Sequence, residues 1–117
     1  MKALNFAGHV LGIEAASRLR ERQVTQTIRS RVSRIVVAIK EGRIKPNDLV
    51  QVMLDNKFVG YARLLAMDEV TRFQLGIEDV RRGGFGDDYR EFAHAFERAG
   101  YRFPPYKQYR FYRLRFM

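Results

Sequence analysis

The segment VTQTIR at positions 24–29 most constrains what this chain can fold into. It follows a basic stretch of helical composition, and its β-branched residues favour a short strand. Alternate residues of a strand point to the same face, so Thr25 and Thr27 share a face with Arg31. Hydroxyls both donate and accept hydrogen bonds, and a guanidinium matches the geometry of phosphate. Thr25, Thr27 and Arg29 are therefore predicted to form a platform for an anion or a nucleotide.

Positive charge is concentrated towards the two ends of the chain, which carries a net charge of +9 over 117 residues. Nine Lys and Arg residues and two acids lie between Arg18 and Lys45, and five basic residues with no acid lie between Tyr101 and Met117. If these two segments pack together, they form a positive surface that attracts polyanions over about 8 Å at physiological salt. Nucleic acid is the commonest partner for this pattern, and a surface tuned for solubility is the alternative.

Length and composition predict one globular domain spanning residues 1–117. The chain has no cysteine, which excludes disulfides and thiolate metal sites. No apolar run approaches the roughly 20 residues needed to span a bilayer, and we interpret Met1–Leu11 as a structural element and not a signal peptide. We therefore expect a cytoplasmic protein without a membrane partner, existing as a monomer or weak dimer.

Hydrophobic periodicity and turn residues predict an α+β chain. Strands are predicted at 2–6, 24–28, 48–54, 57–73 (bent at Asp68-Glu69) and 108–117, and helices at 14–22, 76–82 and 87–99. The segment 32–40 is ambiguous, because Ile35, Val36 and Val37 favour a strand whereas Gly42 would end a short helix. This order suits a small mixed β-barrel with short helices covering its ends. The predicted core comprises Leu4, Leu19, Ile28, Val50, Val52, Leu64, Phe92, Phe96, Leu114 and Phe116.

Three segments resemble those of ASCH domains, small β-barrels of the PUA-like superfamily. The VTQTIR segment is similar to the family signature G-x-K-T-x-T-I-R, with Val24 at the lysine position. The segment PNDLV at 46–50 looks like the family's turn into a central strand, and EDVRRGGF at 78–85 looks like its later helix and turn. The resemblance covers most of the chain and implies a small β-barrel of the PUA-like type.

One branch of that family resembles amidohydrolases acting on acetylated cytidine, in which a lysine, a threonine and a glutamate form the catalytic set. The resemblance carries these positions onto Val24, Thr27 and a site near Gly83. Val24 and Gly83 cannot transfer protons, and Arg22 has too high a pKa to replace the lysine. We therefore expect a binding site around Thr27 and no catalytic residue, with Thr27 in the site if the protein is an enzyme.

Other kinds of site have weaker support in the sequence. His94 is interpreted as a surface or capping residue and His9 as a loop residue that could contact a ligand. No carboxylate spacing suits a metal, and we expect no cofactor. The glycine-rich turn GGFG at 83–86 lacks a following GK[ST] and is no phosphate loop, although Arg81 and Arg82 beside it could form the rim of an anion site.

The C-terminal segment interleaves aromatic and basic residues. As a strand it would place Tyr112, Leu114 and Phe116 on a core face and Phe111, Arg113 and Arg115 on the opposite face. Exposed aromatic and arginine side chains suit single-stranded RNA, and a barrel strand with one solvated face is the alternative. We therefore predict an RNA-binding module, or alternatively a hydrolase of a modified nucleoside or RNA. The predicted contacts are Thr25, Thr27, Arg29, Arg31, Arg81, Arg82, Tyr109, Phe111, Arg113 and Arg115.

Overall fold

The computed structural model describes residues 2–101 and 110–117, which form an α+β fold. The strands are β1 (Ala3–Phe6), β2 (Gln26–Ser30), β3 (Leu49–Leu54), β4 (Lys57–Thr71) and β5 (Arg110–Phe116). The α-helices are α1 (Gly8–Leu11), α2 (Ile13–Arg20), α3 (Arg34–Lys40), α4 (Ile77–Arg82) and α5 (Tyr89–Arg98), and a 3-10 turn covers Arg72–Gln74.

The described strands form one mixed sheet in the order β1-β3-β4-β5-β2. β1 pairs parallel with β3, and the other neighbouring pairs are antiparallel. β1 and β2 are therefore the two edges of an open sheet, so the α+β class is confirmed but the predicted small mixed β-barrel is not a closed barrel. A side chain links the edges instead, because Arg29 of β2 donates a hydrogen bond to the Asn5 carbonyl of β1.

Strand β4 is long and irregular, as its sequence suggested, but its irregularity lies elsewhere than predicted. The register against β5 shifts between Leu64 and Ala66, so Leu65 is an extra residue in β4. Asp68 and Glu69, where we predicted the bend, pair regularly with Arg113 and Tyr112. A bulge of this kind bends the strand and increases its twist.

The ambiguous segment 32–40 contains helix α3. Ile35, Val36 and Ala38 are buried on the side of α3 that faces the core, so burial of this face overrides the β propensity of the segment. β2 begins two residues later than predicted, at Gln26. The short helix Gly8–Leu11 was not predicted, since four residues carry too little periodicity to be recognised.

The hydrophobic core lies between the sheet and the helices. Nine of the ten predicted core residues are buried, and the tenth, Ile28, is half-buried and packs against the core. Phe111 is also buried, at 1% exposure, so its predicted place on a solvated face is wrong. Its ring packs edge-on against Phe96 of α5 and Tyr101, because these residues cover the face of β5 that we expected to be open.

Helix α5 brings the aromatic residues of this core to the sheet. The Asp88 side chain accepts a hydrogen bond from the Glu91 N–H and caps the helix, and Phe92 and Phe96 follow one turn apart on the buried face. The rings of Phe92 and Phe96 are in edge contact, with centroids 5.2 Å apart. None of the helices in the described ranges is long and apolar enough to cross a membrane.

Candidate functional site

A cavity of about 260 Å³ lies between β1, β2 and helices α1, α4 and α5. Its walls are mainly aromatic and aliphatic, and most of its polar side chains come from β2 and α4. The residues that line it include Asn5, Phe6, Gln26, Thr27, Arg29, Asp79, Gly83, Phe85, Phe92, Phe96 and Tyr101. The volume is close to the lower end of ligand pockets, which begin at about 300 Å³, and therefore suits a small molecule.

Arg29 is held across the mouth of this cavity by three contacts. Its Nε donates to Thr27 Oγ1 at 3.1 Å, and its Nη2 donates to the backbone oxygen of Asn5 at 2.7 Å. Its guanidinium also lies over the ring of Phe6, 4.7 Å from the ring centroid. Thr27 and Arg29 are two residues apart on one strand, so the alternation of β2 places both side chains on one face. The guanidinium is therefore preorganised beside a hydroxyl and an aromatic ring.

Burial changes the acidity of this guanidinium. Desolvation lowers the pKa of Arg29 to about 10, and the nearby Tyr101 partly opposes that effect. Arg29 therefore remains charged at neutral pH although it is half-buried. A cation that has already lost part of its water shell can bind an anion or a polar base edge at a smaller desolvation cost.

One of the two buried polar groups of the cavity is the carboxylate of Asp79, which is 4% exposed. Its Oδ2 accepts from the Gly76 N–H at 2.8 Å, which fixes the start of α4. Its Oδ1 accepts from Gln26 Nε2 at 2.7 Å and from Arg113 Nη1 at 3.0 Å. Burial opposes ionisation of this carboxyl, but the hydrogen bonds from Gly76, Gln26 and Arg113 outweigh it and hold the pKa of Asp79 below its usual range.

Gln26 is the other buried polar residue among those described, at 1% exposure. Its amide nitrogen is used by Asp79, whereas its Oε1 has no hydrogen-bond partner within the described residues. Arg115, which is opposite Gln26 in the register of β2 and β5, has a buried Nε that also lacks a partner there. Buried polar atoms are normally paired, so Gln26 Oε1 gives the cavity unused capacity to accept a hydrogen bond.

The structure brings together only part of the predicted contact set. Thr27 and Arg29 line the cavity, but Thr25 precedes β2 and is exposed outside the cavity. The Thr25 backbone bonds to Arg82 O and to Phe116 N, both at 2.9 Å, so Thr25 contributes to the fold through its main chain. Arg31 is exposed in the turn that follows β2. Of Thr25, Thr27 and Arg29, only Thr27 and Arg29 line the cavity, because the strand and its regular alternation begin at Gln26.

The predicted arginines near the cavity rim and in β5 differ in their ion pairs and in their burial. Arg113 bonds to Asp68 through Nε and Nη2, at 3.0 and 2.6 Å, and to Asp79, and the bonds to Asp68 raise its pKa above the ordinary value. Arg81 pairs with Asp87 and Glu78 on the surface. Arg82 is half-buried, and so is Arg115. Arg113 thus supports Asp79 from outside the cavity, and Tyr109 lies outside the described residues.

The positions of the amidohydrolase signature are occupied by structural residues. Val24 is buried, and a side chain on Gly84 would come within 2.7 Å of its Cγ2. Gly83 lines the cavity without contributing a side chain. Thr27 Oγ1 accepts a hydrogen bond from Arg29, and a guanidinium cannot take up the hydroxyl proton. The arrangement can position a ligand, and among the described residues the hydrogen bond to the Thr27 hydroxyl comes from Arg29 and not from a carboxylate, histidine or lysine.

Two of the principal cavity residues, Gln26 and Asp79, were missed from the sequence. Gln26 was present in the VTQTIR segment as the variable residue between two threonines, and an alternating strand with one buried face is the signal that could have identified it. Asp79 precedes Gly83 by four residues in the chain. The first turn of α4 covers that distance in space, so the carboxylate reaches the same cavity. No group of three or more His, Asp or Glu residues in ranges 2–101 and 110–117 is placed to hold a metal ion.

No protein-family model matches this chain, and no curated protein matches it either. The chain does match a solved structure. The chain shares the fold of protein EF3133 from Enterococcus faecalis V583, which is assigned to the family model DUF984. The TM-score is 0.62, and the match covers 99% of this chain and 74% of that one at 15% sequence identity. At this identity the likeness shows the fold alone.

Proposed function

We propose that this chain is a cytoplasmic RNA-binding module of ASCH type that accepts one unpaired base in the cavity beside Thr27 and Arg29. The observation that carries the proposal is the combination of a preorganised guanidinium and hydroxyl with aromatic walls in a cavity of about 260 Å³. Proteins that read single-stranded RNA hold unstacked bases against aromatic rings or arginine planes and bond to their polar edges.

The polar groups of the cavity suit a base edge better than a free phosphate. Asp79 carries a negative charge inside the cavity, which disfavours an anion in its depth, whereas the free Gln26 Oε1 can accept a hydrogen bond from an amino or imino group. Arg29 at the mouth can bond to a phosphate or a carbonyl. The base would therefore enter first, with the sugar and phosphate remaining near Arg29.

The net charge of +9 provides the long-range attraction that such binding needs. Neutralising several phosphates releases counterions, so the affinity for RNA should fall steeply as the salt concentration rises. The proposal is for binding without hydrolysis, because the contacts of Thr27 do not include a group that could take its proton.

Fluorescence anisotropy with a labelled single-stranded RNA, measured across a salt series, tests this function. Thr27→Val removes the cavity hydroxyl with little change of shape, and we expect it to weaken binding by about 1 kcal/mol. Thr25→Val removes an exposed hydroxyl outside the cavity and is the matched control. Binding that does not respond to salt, or that Thr25→Val weakens as much as Thr27→Val, would contradict the proposal.

A further inference from the structure

A second cavity, of about 370 Å³, lies between strand β1 and helix α3. Its floor is apolar, with Ile35, Ala38 and Ile44 buried in the core. Its polar side chains are almost all cationic, and Lys2, Arg34 and Arg43 line it. It is therefore a groove with an apolar floor and a positive lining.

The charge of this groove is largely uncompensated. Of the ten residues that line it, three are basic and none is acidic. Glu41 lies nearby and pairs with Arg43, 2.9 Å from its Nη2. Lys2 and Arg34 are exposed, and neither is in a salt bridge described for this structure. Such a lining complements a chain of negative charges.

The groove adjoins the cavity of the proposed function at one residue. Asn5 lines both, and its backbone oxygen accepts the hydrogen bond from Arg29. The basic lining therefore begins where the polar wall of the first cavity ends. A strand held in the first cavity can therefore reach the groove past Asn5.

We infer that the groove between β1 and α3 binds the phosphodiester backbone of the RNA strand that flanks the base held beside Arg29. The inference rests on the proposed function and specifies the ligand as a strand rather than a free nucleoside. Lys2, Arg34 and Arg43 neutralise phosphates, and the apolar floor and the exposed Val32 provide contact surface for sugars. These contacts are made to phosphates and sugars and not to base edges. The flanking strand is therefore bound with little dependence on its base sequence.

The test compares two triple variants of equal charge. One replaces the groove residues (Lys2→Ala, Arg34→Ala, Arg43→Ala), and the control replaces three exposed basic residues that line neither cavity (Arg20→Ala, Lys57→Ala, Arg90→Ala). Each is titrated with a labelled 12-nucleotide single-stranded RNA across a salt series, and with a mononucleotide. The free energy of unfolding of each variant is measured in urea, and Arg34→Ala against Arg20→Ala provides the single-site comparison if either triple variant unfolds.

We expect the groove variant to lose at least about tenfold in affinity for the RNA strand and to have a salt slope shallower by about two, because three phosphate contacts are lost. Its affinity for the mononucleotide should stay within about twofold of the wild type, since the first cavity is intact. The control should change both affinities by less than about threefold.

Equal losses of RNA affinity in the groove and control variants would overturn the inference about the groove without contradicting the proposed function. Loss of mononucleotide binding in the groove variant alone would also overturn it, because the groove would then act through the first cavity. If the wild type binds neither RNA nor nucleotide, the proposed function itself fails. An oligoglutamate peptide that binds the wild type more tightly than RNA, and loses affinity in the groove variant, would assign the groove to an acidic protein partner instead.

Discussion

Arg29 of β2 donates a hydrogen bond from Nη2 to the backbone oxygen of Asn5 in β1, at 2.7 Å. These two strands are the edges of the described sheet, and no backbone pairing joins them there. One side chain therefore connects the ends of an open sheet and simultaneously forms the rim of a cavity. A change at Arg29 should therefore affect the stability of the sheet together with the proposed binding at the cavity.

We expect Arg29→Lys to lower the free energy of unfolding by about 1–2 kcal/mol, because an ammonium cannot replace the paired bonds to Thr27 and Asn5. RNA binding should weaken by about 1–3 kcal/mol although the charge is kept. Urea denaturation and anisotropy measure the two effects. Arg20→Lys, on an exposed part of α2, is the control, and an equal response of the two variants would show that the geometry of Arg29 is unimportant.

Restoring the lysine of the amidohydrolase signature should destabilise the protein and not activate it. Val24 is 5% exposed and packs against Gly84, so Val24→Lys would bury a charge without a partner. We expect a loss of at least about 3 kcal/mol in the free energy of unfolding. Thr25→Lys, one residue along and exposed, should change it by less than about 0.5 kcal/mol. A stable Val24→Lys protein with new hydrolase activity would contradict this account.

The wild-type protein should not hydrolyse acetylcytidine above background. Val24 and Gly83 provide no proton-transfer group, and the Asp79 carboxylate is committed to three hydrogen bonds. Chromatographic detection of cytidine after incubation with the purified protein measures the reaction. Turnover that is abolished by Thr27→Ala would show that another residue acts as the base.

The buried carboxylate of Asp79 should make the free energy of unfolding depend on pH. Because the pKa of Asp79 is lowered in the folded state, its contribution is fully present above the ordinary value of 3.8 and is lost as the pH falls through the lower folded value. We expect Asp79→Asn to cost about 1–3 kcal/mol at pH 7, since it weakens the bonds from Gly76, Gln26 and Arg113.

Urea unfolding of the wild type and of Asp79→Asn between pH 7 and pH 3 measures this dependence. The difference between the wild type and Asp79→Asn should shrink below about pH 4, as the wild type becomes protonated. Asp68→Asn is the control, because Asp68 also pairs with Arg113 but is half exposed, and it should cost less than about 1 kcal/mol. If the difference in free energy of unfolding stays constant with pH, the effect of Asp79→Asn arises from packing and not from the charge of Asp79.

Much of the element order followed from local patterns, with boundaries shifted by one or two residues. The helix at Tyr89–Arg98 was predictable because Asp88 can cap it and Phe92 and Phe96 recur at helical spacing. The segment at Arg34–Lys40 was not, because its β-branched residues fit both a strand and a helix until the core selected one buried face. Phe111 was placed on the wrong side of the core because nothing in β5 itself reveals that Phe96 and Tyr101 cover it.

For the candidate site, the sequence by itself determined that Thr27 and Arg29 lie on one face of a strand, since strand alternation depends only on spacing. It also determined the excess of positive charge and the absence of a lysine at position 24. Only the tertiary structure decided that the sheet stays open, that Asp79 and Gln26 meet 53 residues apart, and that Arg113 is bound to carboxylates. Those relationships join elements distant along the chain, and they depend on which faces are buried against one another, a property of the packed core rather than of any local segment.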